Sequence, residues 1–222
     1  MGDSSVTGGD RFAFYADRRR RSFVKVAGVV LCGGQSSRMG SPKALLRLGE
    51  ETFLERTVRI VHAVVQPVLV VASSEQELPP LVLDDVAILR ETKDHEGPLA
   101  GFLTGLTHMT DAVDAVYLSS CDMPLLKPEF VRRMTESLGD FDIVIPKTGG
   151  RFHPLAAVYH KRVIVRAIPL YADGHRRMTT LLDNHRVRVL EESDFADIDP
   201  GLDSLRNVNT PEEYAAVLAR FQ

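Results

Sequence analysis

Cysteine is scarce in this sequence, with Cys32 and Cys121 alone in 222 residues. A pair cannot build a disulfide framework, so the fold must rest on an ordinary core, and a reducing cytoplasm is the expected compartment. No apolar run approaches the roughly 20 residues of a membrane span. The N-terminus lacks the apolar centre of a secretory signal. Charge of one sign is also lacking. A formal net charge of -3 gives no general attraction to nucleic acid or to an anionic membrane. Chemistry-bearing patterns are missing too. The cysteines and histidines do not cluster at zinc spacing, and no Gly-x-Ser-x-Gly nucleophile elbow occurs. The spaced glycines of a dinucleotide loop and the Gly-Lys-Ser/Thr of a Walker loop are absent as well.

What is present is a chain sized for one α/β domain, able to bury a sizeable core. Residues 1–22 are rich in Gly, Ser and Asp and end in a run from Arg18 to Arg21. They predict a disordered tail ahead of a single domain over residues 23–222. The arginine run offers nucleic acid no second basic patch and no aromatic platform. From Val24 to Leu31 an apolar run leads straight into Gly33-Gly34, as in a strand buried on both faces. Val68–Ala72, Val86–Leu89, Ala115–Ser119 and Ile143–Ile145 read alike, and Ala156–Tyr159 reads as a further apolar strand. Helical patterns lie between them. Thr52 with Glu55 makes a capping box for a helix to about Val65, and Thr210, Pro211 and Glu213 open a last helix to about Phe221. Pro98 and Pro128 suit first helical turns. Strands alternating with helices imply an α/β fold, Rossmann-like and three-layered, with a mostly parallel sheet. Ligands of such sheets bind beyond the carboxyl ends of the strands.

Chemistry is therefore sought just after each strand. The first ends in Leu31-Cys32-Gly33-Gly34-Gln35-Ser36-Ser37-Arg38-Met39-Gly40, followed by Ser41-Pro42-Lys43. Glycines there let backbone N–H groups approach a phosphate. Arg38 offers a planar fork and Lys43 a point charge, both within reach of one polyphosphate. Gly97-Pro98-Leu99-Ala100-Gly101 flanks a helix start, where a flat base can lie against backbone. Asp122, in Ser119-Ser120-Cys121-Asp122-Met123-Pro124, projects into the expected crevice. One carboxylate suits Mg²⁺, which takes few protein ligands and keeps waters and substrate phosphates. His153-Pro154-Leu155 reads first as a plain loop, and Asn207-Val208-Asn209-Thr210-Pro211 as a turn and helix cap in which Asn207 or Asn209 could also hydrogen-bond a ligand.

The string from Leu31-Cys32-Gly33-Gly34 through Arg38-Met39-Gly40 to Lys43 resembles the signature of Rossmann-like nucleotidyltransferases. With Gly97–Gly101, Cys121-Asp122-Met123-Pro124 and Asn207–Pro211, in that order, it is similar to the molybdenum cofactor guanylyltransferase family. The likeness runs from about Val26 to the C-terminus. It implies the nucleotide-diphospho-sugar transferase type of fold, with GTP and Mg²⁺ used to join GMP to the phosphate of molybdopterin. Arg38 and Lys43 would hold the triphosphate and Asp122 the metal, these three being the catalytic residues. Leu31, Cys32, Gly33, Gly34 and the segment from Gly97 through Pro98 and Leu99 to Gly101 would frame the nucleotide. Asn207 and Asn209 would lie on the acceptor side, and transient contacts with proteins of the molybdenum-cofactor pathway are implied. Two positions depart from the family pattern. Cys32 stands where alanine is usual, and Glu91, or its rival Asp94, stands for an aspartate near the base.

Attack of an acceptor phosphate on the α-phosphorus brings two anions together, so neutralising charge is the main task. Such an acceptor is already ionised, so no general base is needed. Cytidylyl transfer, a sugar or alcohol phosphate acceptor, or a non-catalytic nucleotide binder are the competing readings.

Overall fold

The computed structural model describes residues 24–33, 42–91 and 96–221. The arginine-rich tail, Gly34, Arg38 and Asp94 lie outside them. The chain runs β1 (Val26–Leu31), β2 (Arg47–Leu48), β3 (Glu51–Thr52), α1 (Phe53–His62), β4 (Val68–Ala72), β5 (Val86–Arg90) and α2 (Pro98–Thr107). There follow β6 (Ala115–Ser120), α3 (Pro128–Glu136), β7 (Ile143–Thr148), β8 (Arg151–Phe152), β9 (Ala156–His160), α4 (Ile164–Ala172), β10 (Val187–Leu190) and α5 (Pro211–Leu218). Helix starts agree with the sequence reading. Thr52 caps α1 and Thr210 caps α5, each in a reciprocal capping box, and Pro98 and Pro128 occupy first turns.

Strand order is β10-β7-β9-β6-β1-β4-β5, with β8 hairpinned onto β7. Pairing is parallel except where β9 lies antiparallel between β6 and β7, and β8 on β7. Period-two alternation along β1 sends Ala27, Val29 and Leu31 to one face and Val30 and Cys32 to the other. The first face packs against Phe102 and Leu106 of α2 and Ala167 of α4, the second against Leu54 and Val58 of α1 and Phe130 of α3. This gives three layers, as expected. A small third cluster, Leu48, Phe53, Val208 and Val217, fastens α5 beside β2 and β3. There Phe53 meets Tyr214 edge-on at 5.7 Å, and the Tyr214 hydroxyl donates to the Arg47 carbonyl at 2.7 Å.

Two readings need correction. β5 is not buried on both faces. It is the edge strand beside β4, and Ile88 is largely exposed. The first and last helices end earlier than expected, at His62 and Leu218.

The return from β10 towards the carboxyl ends of the strands is held by a buried carboxylate. Asp199 is fully buried and accepts from Lys127 Nζ at 2.7 Å, the Ser204 N–H at 2.8 Å and the Asp203 N–H at 3.2 Å. Burial works against its ionised form. The Lys127 ammonium and the backbone donors outweigh burial and hold its carboxyl below the usual range. A depressed carboxylate contributes stability above its unfolded value of about 3.9, lost as pH falls through the folded value. Asp199→Asn should therefore lower the urea midpoint at neutral pH, by about 2–4 kcal/mol of stability. The gap should narrow below about pH 4. Denaturation curves across that range check this, and a gap that ignores pH contradicts it.

Candidate active site

The adjacent parallel strands β1 and β6 end together, with Leu31 opposite Ser120. Their ladder runs one residue further, since the Cys121 N–H donates to the Leu31 carbonyl at 3.0 Å. On the other side the Cys32 N–H donates to the Val71 carbonyl at 2.8 Å. From β1 the chain moves to β4 and β5 on one side and then crosses back to β6 on the other, so the strand order reverses at β1. A cavity of about 570 Å³ opens beyond these ends, within the range of a small-molecule site.

Most of the expected residues gather there. Leu31, Cys32, Gly33, Lys43, Glu91, Gly97, Pro98, Gly101 and Asp122 all line the cavity. Leu99 does not. Its side chain is fully buried with Phe102, Leu103 and Leu106, at the i, i+3, i+4, i+7 spacing of a helix stripe facing the core. Gly34, Arg38 and the rival Asp94 are outside the described residues.

The polar centre joins three distant stretches of chain. Lys43 Nζ stands 3.2 Å from Asp122 Oδ2 and donates to Asn209 Oδ1 at 2.6 Å. The other Asp122 oxygen accepts from the Ser120 hydroxyl at 2.5 Å. Both partners of the ion pair are about four-fifths shielded from water. The segment carrying Asn209 is docked from both sides. The Val208 N–H donates to the Asp122 carbonyl at 2.9 Å. The Glu213 carboxylate in the α5 capping box accepts from the Asn209 N–H at 2.6 Å and the Thr210 N–H at 3.1 Å. Asn207 is exposed.

The opposite wall is acidic. An added Cβ at Gly33 would stand 3.5 Å from Glu91 Oε2, and one at Gly101 would stand 3.5 Å from Oε1, so the Glu91 carboxylate sits between two glycines. Its backbone N–H donates to the Ala72 carbonyl at 2.9 Å, carrying the β4–β5 ladder on by one residue. At Gly97 φ is +85°, and an added Cβ would stand 3.3 Å from the Arg176 carbonyl, which the Leu99 N–H reaches at 3.3 Å. Glycine is thus required where α2 begins at the cavity rim. Below lie the two thiols. Contact with the Cys32 thiol, then burial, pushes the Cys121 thiol well up, so it stays protonated and serves packing.

Ser120, Glu96, Ser73 and Leu155 also line the cavity, and the sequence reading does not single them out. Ser120 has a usable signal, two residues before Asp122 where a bent strand end brings i and i+2 together. His153 is a hairpin residue, its Nε2 2.6 Å from the Thr148 hydroxyl. Burial, then Arg151, lowers its pKa, so it is neutral at pH 7.

Residues 28–189 match the MobA-like NTP transferase domain. The chain belongs to that family. This MobA-like chain is 33% identical over 193 residues to a Bacillus mycoides (strain KBAB4) protein named "Probable molybdenum cofactor guanylyltransferase", covering 86% of the chain and 94% of the relative. A Bacillus cytotoxicus relative of the same name is 33% identical over 196 residues, covering 87% and 96%. Among solved structures, molybdopterin-guanine dinucleotide biosynthesis protein A from Archaeoglobus fulgidus superposes with a TM-score of 0.71 at 20% identity, covering 87% of this chain and 97% of that one. The 2-C-methyl-D-erythritol 4-phosphate cytidylyltransferase from Thermus thermophilus gives 0.66 at 17%, covering 89% and 99%. At those identities the two structures speak for the fold. Family and relatives' names make the MobA-like chain a nucleotidyltransferase of molybdenum cofactor biosynthesis.

Gly101 allows a test of the cavity wall. In Gly101→Ala the new Cβ would stand 3.1 Å from Leu31 Cδ2, so that side chain must shift. Alanine gains about 1 kcal/mol of helix propensity over glycine, roughly offsetting a crowding cost of similar size. Melting should therefore move by no more than about 4 °C, while nucleotide binding weakens about tenfold, or 1.4 kcal/mol. Calorimetry on the purified variant checks both, and unchanged affinity would place the nucleotide away from this wall.

Proposed function

We propose that the chain transfers GMP from GTP to the phosphate of molybdopterin and releases pyrophosphate. The observation that carries this reading is the Lys43–Asp122 pair in the lining of a nucleotide-sized cavity at the β1 and β6 ends, with Asn209 bonded to the same ammonium. The names of the Bacillus relatives support GTP and molybdopterin as the substrates. Lys43 and Arg38 take the triphosphate. Leu31, Cys32, Gly33, Gly34, Gly97, Pro98 and Gly101 shape the space for base and ribose, and Glu91 faces the donor edge of guanine. Asn209 and the exposed Asn207 belong to the acceptor side.

The donor set fits Mg²⁺. Asp122 offers hard carboxylate oxygens at the cavity floor, and no group of three or more His, Cys, Asp or Glu gathers for a metal among the described residues. One carboxylate plus substrate phosphates is the usual way of binding Mg²⁺. When bound, the ion supplies Lewis-acid charge neutralisation at the transferred phosphate. The chain's own residues do the rest. Lys43 draws charge off the leaving pyrophosphate, Ser120 fixes the Asp122 carboxylate, and Asn209 orients the acceptor so that attack is in line.

Asp122→Ala should abolish pyrophosphate release while leaving the melting transition in place, and wild-type turnover in that variant removes the metal role. Lys43→Ala should weaken GTP binding by about 1.5–3 kcal/mol, the worth of a charge-assisted hydrogen bond, and GMP binding far less. Equal losses in calorimetry place Lys43 away from the outer phosphates. Base and acceptor are decided by turnover with each triphosphate and purified molybdopterin. GTP should lead, by as much as about 10⁴-fold where buried hydrogen bonds read the base. A better rate with CTP, or with a sugar phosphate acceptor, leaves only nucleotidyl transfer standing.

A further inference from the structure

Among the described residues, the Lys43 ammonium has two partners that a bound substrate would have to displace. It sits 3.2 Å from Asp122 Oδ2 and 2.6 Å from Asn209 Oδ1, and the Ser120 hydroxyl already occupies the remaining Asp122 oxygen at 2.5 Å. In this state both Asp122 oxygens have a donor and the Asn209 carbonyl oxygen is taken. A cation approaching Asp122 meets a like charge within a few ångströms, in a site shielded from water. Lysine is suited to let go, being a compact charge on a flexible four-carbon stem. Lys43 itself lies in a short turn of helix, residues 43–45, just beyond the phosphate loop. Asn209, by contrast, is pinned through its backbone to Glu213 and through Val208 to Asp122, so its backbone is held independently of Lys43.

We infer that Lys43 is a movable counter-ion that orders binding, a deeper form of the function proposed above and resting on it. Without substrate it neutralises Asp122 and occupies Asn209. An incoming triphosphate offers a greater density of negative charge and draws the ammonium off. That one movement uncovers Asp122 Oδ2 for the divalent cation and Asn209 Oδ1 for an N–H or O–H donor of the acceptor molecule. The nucleotide therefore binds first, and metal and acceptor follow it. Ser120 is the positioning residue that keeps the Asp122 carboxylate from following the departing ammonium.

The test reads binding rather than turnover. Titrated with Mn²⁺ alone, monitored by the electron paramagnetic resonance of free Mn²⁺, the full chain should bind weakly. Lys43→Met should bind Mn²⁺ about tenfold or more tightly, since a like charge is gone, and adding Asp122→Asn to that variant should abolish the gain. The second arm uses GTP in EDTA. Asp122→Asn should tighten metal-free GTP binding in the chain that keeps Lys43, and the gain should shrink in the Lys43→Met background. That difference is the coupling between the two residues. Equal Mn²⁺ affinity with and without Lys43, or equal GTP gains in both backgrounds, overturns the counter-ion role and leaves nucleotidyl transfer untouched. No Mn²⁺ binding in any form, with GTP present or absent, removes the metal reading and the ordering with it.

Discussion

Everything at the site hangs on the seam between β1 and β6. The two strands are parallel, buried on both faces, and in register from Val26 opposite Ala115 to Leu31 opposite Ser120. The extra bond from Cys121 to Leu31 carries that register just past the last paired residues, where a chain would otherwise begin to splay. Glycine keeps the seam close to its cover. An added Cβ at Gly28 would stand 2.6 Å from a Val61 methyl, and one at Gly105 would stand 2.7 Å from a Val29 methyl. The helices on both faces thus press directly on β1. Because the interior is packed and resists compression, the strand ends present Gly33 and Asp122 at a fixed separation.

Onto that frame the chain adds charge at long range. Lys43 and Asn209 are 166 positions apart, and Lys43 and Asp122 are 79 apart. Holding such contacts costs chain entropy, although loop closure grows only slowly with length. The ion pair alone would not offset it, because partly exposed pairs are worth on the order of 1 kcal/mol or less. Apolar packing does. Val208 is fully buried in the satellite cluster with Leu48 and Phe53, immediately before Asn209. At about 25 cal/mol per Å² of buried apolar area, one such side chain contributes more than the polar contact beside it. The hydrophobic anchor sets the position, and the polar neighbour inherits it.

This division explains what the sequence discloses. Strand ends are legible because burial on both faces leaves continuous apolar runs, and Gly33 just after β1 lines the cavity. Helix starts are legible because Thr52 and Thr210 carry their own donors and acceptors within three residues. Leu99 is readable as core from its helix-period partners, yet its place in a motif masks that. β5 misleads because an edge strand can be as apolar as a central one. The turn at Gly149-Gly150, both at positive φ, joins β7 to β8 and announces a hairpin. It is the local sign that β9 will come back antiparallel. Contacts such as Lys43 to Asn209 leave no local trace, since neither residue type nor spacing encodes a partner so far along the chain.

The same logic bears on how one carboxylate can suffice. Several carboxylates gathered at one point would repel one another and resist ionising together. Here Asp122 carries its counter-ion on a flexible stem, its second oxygen tied to Ser120 and its backbone tied to Val208. The Asp122 charge is therefore compensated locally by the Lys43 ammonium. The Glu91 carboxylate lies on a separate wall, framed by Gly33 and Gly101. Among the described lining residues, Asp122 is thus paired with Lys43, while Glu91 and Glu96 are further acids of the cavity. With Lys43 on the Asp122 side and Glu91 on the opposite wall, the described lining is polarised, and an anion entering it is drawn towards the Lys43 side.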